Sequence, residues 1–142
     1  MDQKKNPDKN LQLLGLARKA GKLAVGSEDT NSAARTGKAR LIITASDASA
    51  SALRRARSSA DMSYTPYLTV PYTSYELGSI TGRGSPGTVT FLDAGLAARF
   101  VKGLAENDPE KYHETEELLI KTAIAQREKK TTTRSGKGRT NK

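Results

Sequence analysis

Six residues, Arg40-Leu41-Ile42-Ile43-Thr44-Ala45, constrain the fold more than any other segment of the chain. The run is rich in β-branched residues and lacks polar/apolar alternation. It predicts a strand covered on both faces. Such a strand needs a layer on each side, and the rest of the chain supplies helices for both.

Leu11, Leu14 and Ala17, with Leu13, Leu16 and Ala20 beside them, recur at helical spacing. Asn10 is the expected N-cap, and Gly21 the stop after Arg18 and Lys19. Leu23–Val25 reads as a short strand. Ser27 is expected to cap a second helix with Glu28 and Asp29 in its first turn and Gly37 at its end. After the Arg40–Ala45 strand, Asp47 or Ser49 caps a helix over Ala50–Ala60. Its polar face carries Arg54, Arg55 and Arg57. Tyr67–Val70 reads as a strand stopped by Pro71. Ser74 caps a short helix to Thr81, closed by Gly82. Arg83-Gly84-Ser85-Pro86-Gly87 must be a loop. Thr88–Leu92 reads as a strand, and Asp93 caps a helix from Ala94 to about Leu104.

The expected fold class is therefore α/β, a sandwich with helices on both faces of a small sheet. Residues 1–10 are expected to be a flexible N-terminus and residues 11–104 one domain. Asn107-Asp108-Pro109-Glu110 then starts a helix, with Asp at N-cap and Pro at N1. That appended helix covers residues 105–127, and Tyr112, Leu118, Leu119, Ala123 and Ile124 form its apolar stripe. Residues 128–142 contain no apolar side chain and are expected to be a basic tail, disordered when free.

Formal net charge is +9, which favours a polyanionic partner, nucleic acid before an anionic membrane surface. The charge falls into three zones. Residues 1–102 carry 15 basic and 8 acidic side chains, residues 103–126 carry 2 and 6, and residues 127–142 carry 7 and 1. No apolar run approaches the ~18–20 residues of a membrane span. The first ten residues are polar, unlike a secretory signal. The chain reads as cytoplasmic.

Catalytic chemistry has little to stand on. There is no Cys, so thiol nucleophiles and Cys-based zinc sites are excluded. The one histidine, His113, lies in the acidic appended segment. A lone His among Glu116 and Glu117 reads as a solvated face. Gly37-Lys38 lacks the flanking residues of a phosphate-binding loop. The glycines of residues 82–87 lie between a helix and a strand, whereas phosphate loops of nucleotide folds open a helix. No cofactor, no metal and no enzymatic activity are expected. Two segments suit an anion-binding surface: the Gly26-Ser27 helix start and the Arg83–Gly87 loop. Periodicity does not say whether they meet.

A series of motifs, in order, adds to this. Leu14-Gly15-Leu16-Ala17-Arg18-Lys19-Ala20-Gly21-Lys22 is followed by Gly26-Ser27-Glu28-Asp29 and Ala39-Arg40-Leu41-Ile42-Ile43. Ser46-Asp47, Leu77-Gly78, Gly82 and Ser85-Pro86 complete it. Over about residues 11–104 the chain resembles the kink-turn-binding ribosomal protein superfamily, typified by archaeal "L-seven-Ae" and eukaryal "L-thirty-e". Within it the chain is most similar to the short bacterial YlxQ-type members. The resemblance implies a three-layer α/β/α sandwich around a four-stranded mixed sheet. It also implies that Gly26–Asp29 and Arg83–Pro86 lie side by side as an RNA-binding surface. Irregular RNA is read by shape there, because the A-form major groove is too narrow for side chains.

Carried over by position, the RNA-binding residues are Lys22, Gly26, Ser27, Glu28, Asp29, Ser32, Gly82, Arg83, Gly84, Ser85 and Pro86. Gly26 lets RNA approach the backbone, Ser27 caps the recognition helix, and Lys22 reaches a phosphate. Glu28 stands where the family often has Asn, and an ionised Glu accepts only. Asp29 replaces Glu, a conservative change. Ser32 replaces Lys, which removes a phosphate contact. The implied partner is structured RNA, ribosomal or kink-turn-like, in a ribosomal or ribosome-associated setting. The alternative is a protein-interaction module that docks a partner on the acidic helix 109–127. An enzymatic reading would resemble RNA methyltransferases with this fold as an accessory domain, but the chain is too short to hold their catalytic domain.

Overall fold

The computed structural model describes the backbone of residues 8–140 and side chains as far as Lys129. The expected flexible start therefore lies, for residues 1–7, outside the described residues. Ten elements follow in order: α1 Lys9–Lys19, β1 Leu23–Val25, α2 Ser27–Arg35, β2 Leu41–Thr44, α3 Ala50–Ser63, β3 Tyr67–Thr69, α4 Ser74–Thr81, β4 Thr88–Phe91, α5 Ala94–Asn107 and α6 Pro109–Thr140.

The four strands form one mixed sheet in the order β1-β4-β2-β3. β4 runs antiparallel to both neighbours, pairing Val25 with Val89 on one side and Ile43 with Val89 on the other. β3 adds parallel to β2, Ile43 opposite Leu68. β2 and β4 are buried along their whole length, as the unalternating apolar run requires.

Alternation within those strands divides the interior in two. Leu41, Ile43, Val89 and Phe91 join the main core with Leu14, Leu77, Phe100 and Leu119, side chains of α1, α4, α5 and α6. Phe91 and Phe100 meet tilted at 5.2 Å between ring centroids. On the other face, Ile42 packs on Ala56 and Ala60 of α3, and Ala24 on Ala33 of α2. The small side chains there let the two helices lie close to the sheet. Two buried hydroxyls on that face satisfy each other, Thr30 Oγ1 and Thr90 Oγ1 at 2.8 Å, whereas the buried Thr88 Oγ1 has no hydrogen-bond partner among the described residues. The result is the expected α/β/α sandwich.

Caps account for most boundary differences. Asp8, not Asn10, caps α1: its Oδ1 accepts from the Asn10 amide at 2.7 Å, and its Oδ2 accepts from the Tyr72 hydroxyl at 3.0 Å. Burial first, and this carboxylate second, push the Tyr72 phenol above its ordinary pKa. Ser49, not Asp47, caps α3. Thr73, not Ser74, caps α4, in a reciprocal capping box with Glu76. Ser74 instead donates its amide and hydroxyl to Asp47 Oδ1 at 2.8 and 3.0 Å. These bonds hold the Asp47 carboxyl below the usual carboxylate range. α3 runs on to Ser63, where Tyr64 in the left-handed region ends it, and α5 runs past Gly103 to Asn107, with Asp108 as its C-cap.

The last helix is no loose appendage. Asp108 turns the chain, its Oδ1 accepting from the Lys111 amide at 3.3 Å. α6 then folds back along α5 and buries Tyr112 and Leu119. The Tyr112 hydroxyl donates to the Thr69 carbonyl at 3.4 Å. Leu118 and Ile124, assigned from the sequence to the same stripe, stay about half exposed on its flanks. His113 sits 3.3 Å from Glu117 on the outer face. With its amide oxygen turned to Arg40, Gln126 accepts from Nε at 2.9 Å and Nη2 at 3.2 Å. The helix runs to Thr140 rather than ending near Arg127. Straight-chain residues such as Arg127, Glu128 and Lys129 have high intrinsic helix propensity, and no proline follows Pro109 to stop the helix. The side chains of residues 130–142, on which the expectation of disorder rests, lie outside those described.

Candidate nucleic-acid interface

β1 leads straight into α2 through Gly26, whose φ of 98° and ψ of 165° form a backbone that only glycine adopts readily. Gly26 is also the N-cap, since its carbonyl accepts from the Thr30 amide at 3.0 Å. This corrects the reading of Ser27 as the cap. Ser27 is the first helical residue, and no side chain caps α2. The first amides of α2 are thus left without a side-chain acceptor, in the positive end of the helix dipole. Glu28 and Asp29 stand exposed beside them.

Gly26 also ties this turn to the second segment. Its amide donates to the Thr88 carbonyl at 2.9 Å, at the start of β4 just behind the α4–β4 loop. Arg83 Nη1 in that loop stands 4.0 Å from Asp29 Oδ2. Both side chains are about half exposed, so this pair contributes little energy. It does establish that the two segments adjoin.

The loop is shaped by glycines. Gly82 closes α4 at φ 76°, and Gly84 sits at φ 39°. The Gly78 carbonyl accepts from the Gly82 amide at 2.8 Å and the Arg83 amide at 3.2 Å. Arg83, Gly84 and Ser85 are exposed, with Pro86 half-buried behind them.

The Arg83–Asp29 contact and the Gly26–Thr88 bond thus set the turn Gly26, Ser27, Glu28 and Asp29 beside the loop Gly82, Arg83, Gly84, Ser85 and Pro86, with Ser32 about one turn further along α2. Lys22 does not join them. That residue precedes β1 while Gly26 follows it, about 13 Å apart at strand rise. Lys22 lines a separate cleft with Asp93, Gln126 and Arg127. Two features escaped sequence reasoning. One is Gly78 as the seat of the loop, for which a lone glycine inside a helix was the available signal. The other is the groove between α2 and α3, lined by Arg35 and Arg55, which needs the tertiary fold to be seen.

Gly26→Ala has open space for its methyl group but the wrong backbone region. It is expected to cost about 1–2 kcal/mol in urea unfolding. An unchanged midpoint would show that the turn relaxes without strain.

A four-stranded mixed sheet between helical layers, with the β1–α2 turn set against the α4–β4 loop, defines a small class of α/β/α proteins. Residues 8–100 match the model of the Ribosomal protein L7Ae/L30e/S12e/Gadd45 family, and the chain belongs to it. Among solved structures it is similar to a protein with unknown function from Bacillus halodurans C. That match has 27% identity and a TM-score of 0.61, covering 68% of this chain and 97% of that one. A Giardia lamblia 15.5kD RNA binding protein shares the fold at 17% identity and a TM-score of 0.55, over 68% of this chain and 82% of that one. Among the described residues, no helix is long and apolar enough to cross a membrane.

Proposed function

We propose that the protein binds structured RNA, kink-turn-like or ribosomal, as a ribosome-associated cytoplasmic protein without enzymatic activity. The carrying observation is the juxtaposition of the uncapped α2 start with the glycine-shaped loop of Arg83–Pro86. Membership of a ribosomal protein family supports the same reading, as does the fold shared with an RNA-binding protein.

The arrangement suits irregular RNA for a chemical reason. Helix amides without a side-chain cap read no sequence but donate hydrogen bonds to oxygen atoms at close range. Ionised Glu28 and Asp29 only accept, so they select base edges that offer amino or imino protons and repel phosphates. Sheared purine pairs and flipped-out bases present such edges where a regular duplex hides them.

Fluorescence anisotropy with a kink-turn RNA and a duplex of equal length, across a salt series, tests this. The kink-turn is expected to bind at least ten-fold tighter (~1.4 kcal/mol), with a gap that survives added salt. Glu28→Gln and Asp29→Asn are expected to change that ratio. Equal affinity for both RNAs, falling together with salt, would leave only nonspecific attraction to a basic chain.

A further inference from the structure

The three arginines of α3 do not share one role. Arg57 lies over the Tyr67 ring, 5.9 Å from its centroid. Arg55 instead faces a groove of about 590 Å³ between α2 and α3, which begins at Ser27, Glu28 and Asp29 and continues past Arg35.

The groove is polar and ordered. Asn31 Nδ2 donates to Ser59 Oγ at 3.2 Å, joining the two helices across it. Arg35 Nε donates to Asn31 Oδ1 at 2.9 Å, and Arg55 Nη2 to Ser51 Oγ at 2.9 Å. Each guanidinium is thus oriented by a neutral acceptor. Among the described residues neither is paired with a carboxylate. Their remaining N–H donors keep a full positive charge aimed at the groove. The carboxylates sit at one end of α2 and Arg35 at the other, about 10 Å away at helical rise.

We infer that this groove holds the sugar-phosphate backbone of the RNA strand leaving the α2 start, with Arg35 and Arg55 each on a phosphate. The inference rests on the RNA-binding reading above and extends it: base edges at the carboxylate end, backbone at the guanidinium end. Guanidinium forks match phosphate oxygens, and hydroxyls such as Ser58 add neutral donors beside them.

The test uses the full chain with Arg35→Gln and Arg55→Gln together. A control removes the same charge outside the groove, Arg54→Gln with Arg99→Gln. All four side chains are exposed, so thermal melts by circular dichroism are expected to coincide with wild type. Kink-turn RNA with a single-stranded extension is titrated over a salt series. Two lost phosphate contacts are expected to flatten the slope of log K against log salt by about 1.5. The control is expected to leave it near wild type. If both double variants flatten it equally, net charge alone acts and the groove is not a site. If neither does while wild type prefers kink-turn RNA, this inference fails and the RNA reading stands. If wild type itself shows no preference, the RNA reading fails and takes the groove with it.

Discussion

Replacing Gly78 by alanine is expected to destabilise the fold by about 3 kcal/mol and to weaken RNA binding together with it. Inside a helix the same exchange ordinarily stabilises by up to ~1 kcal/mol, because glycine is the poorer helix former. The sign reverses here because the α4–β4 loop lies directly on the helix. A Cβ at residue 78 would overlap the Gly84 carbonyl oxygen and approach the Gly84 carbonyl carbon to 2.6 Å. Both are backbone atoms, so no side-chain rotation relieves the clash. Either the loop lifts from α4 or the helix shifts in the core, where neighbouring Leu77 is fully buried. Lifting the loop also moves Arg83 away from Asp29. Urea unfolding gives the stability term, and kink-turn anisotropy the binding term. A variant as stable as wild type, or more so, would mean that the loop does not rest on Gly78.

Leu119→Ala is expected to cost about 3 kcal/mol, whereas Leu118→Ala, one residue away, stays within about 0.5 kcal/mol. Leu119 is fully buried in the main core, while Leu118 is half exposed. The contrast separates two views of residues 109–127. An integral helix shows a large difference between these neighbours. A helix that docks a separate partner and merely rests on the domain shows a small one. Paired urea melts decide it. Similar costs for the two substitutions would return α6 to the role of an appendage.

Much of the architecture was legible because its signals are local. The Leu41–Thr44 run, the Asp93 cap and the Asp108-Pro109-Glu110 start needed only their own neighbours. Caps failed where two candidates stood side by side. Ser74 and Thr73 differ only in what tertiary structure offers each, and Ser74 was recruited by Asp47. Ser27 lost its expected role to a backbone geometry that composition does not encode. For the site, the two segments were visible as motifs, but their adjacency came from a resemblance and then from the Gly26–Thr88 bond. Lys22 matched a motif position, yet the strand carries it to the opposite end of the sheet. The groove depends on two helices separated by the whole of β2, so no window of sequence contains it.

The strand order has a consequence for assembly in time. β4, the last strand in the chain, is inserted between β1 and β2. As the chain leaves the ribosome, β1 has no partner at all until Thr88–Phe91 have emerged, and β2 has only β3. Closing the sheet therefore waits on contacts between residues as far apart in sequence as Leu23 and Phe91, 68 positions, which makes it the slow, entropy-limited step. A nascent chain stalled before Thr88 would expose strand edges open to pairing with other chains. One stalled beyond Phe91 would have its sheet sealed before α6 arrives to cover the core.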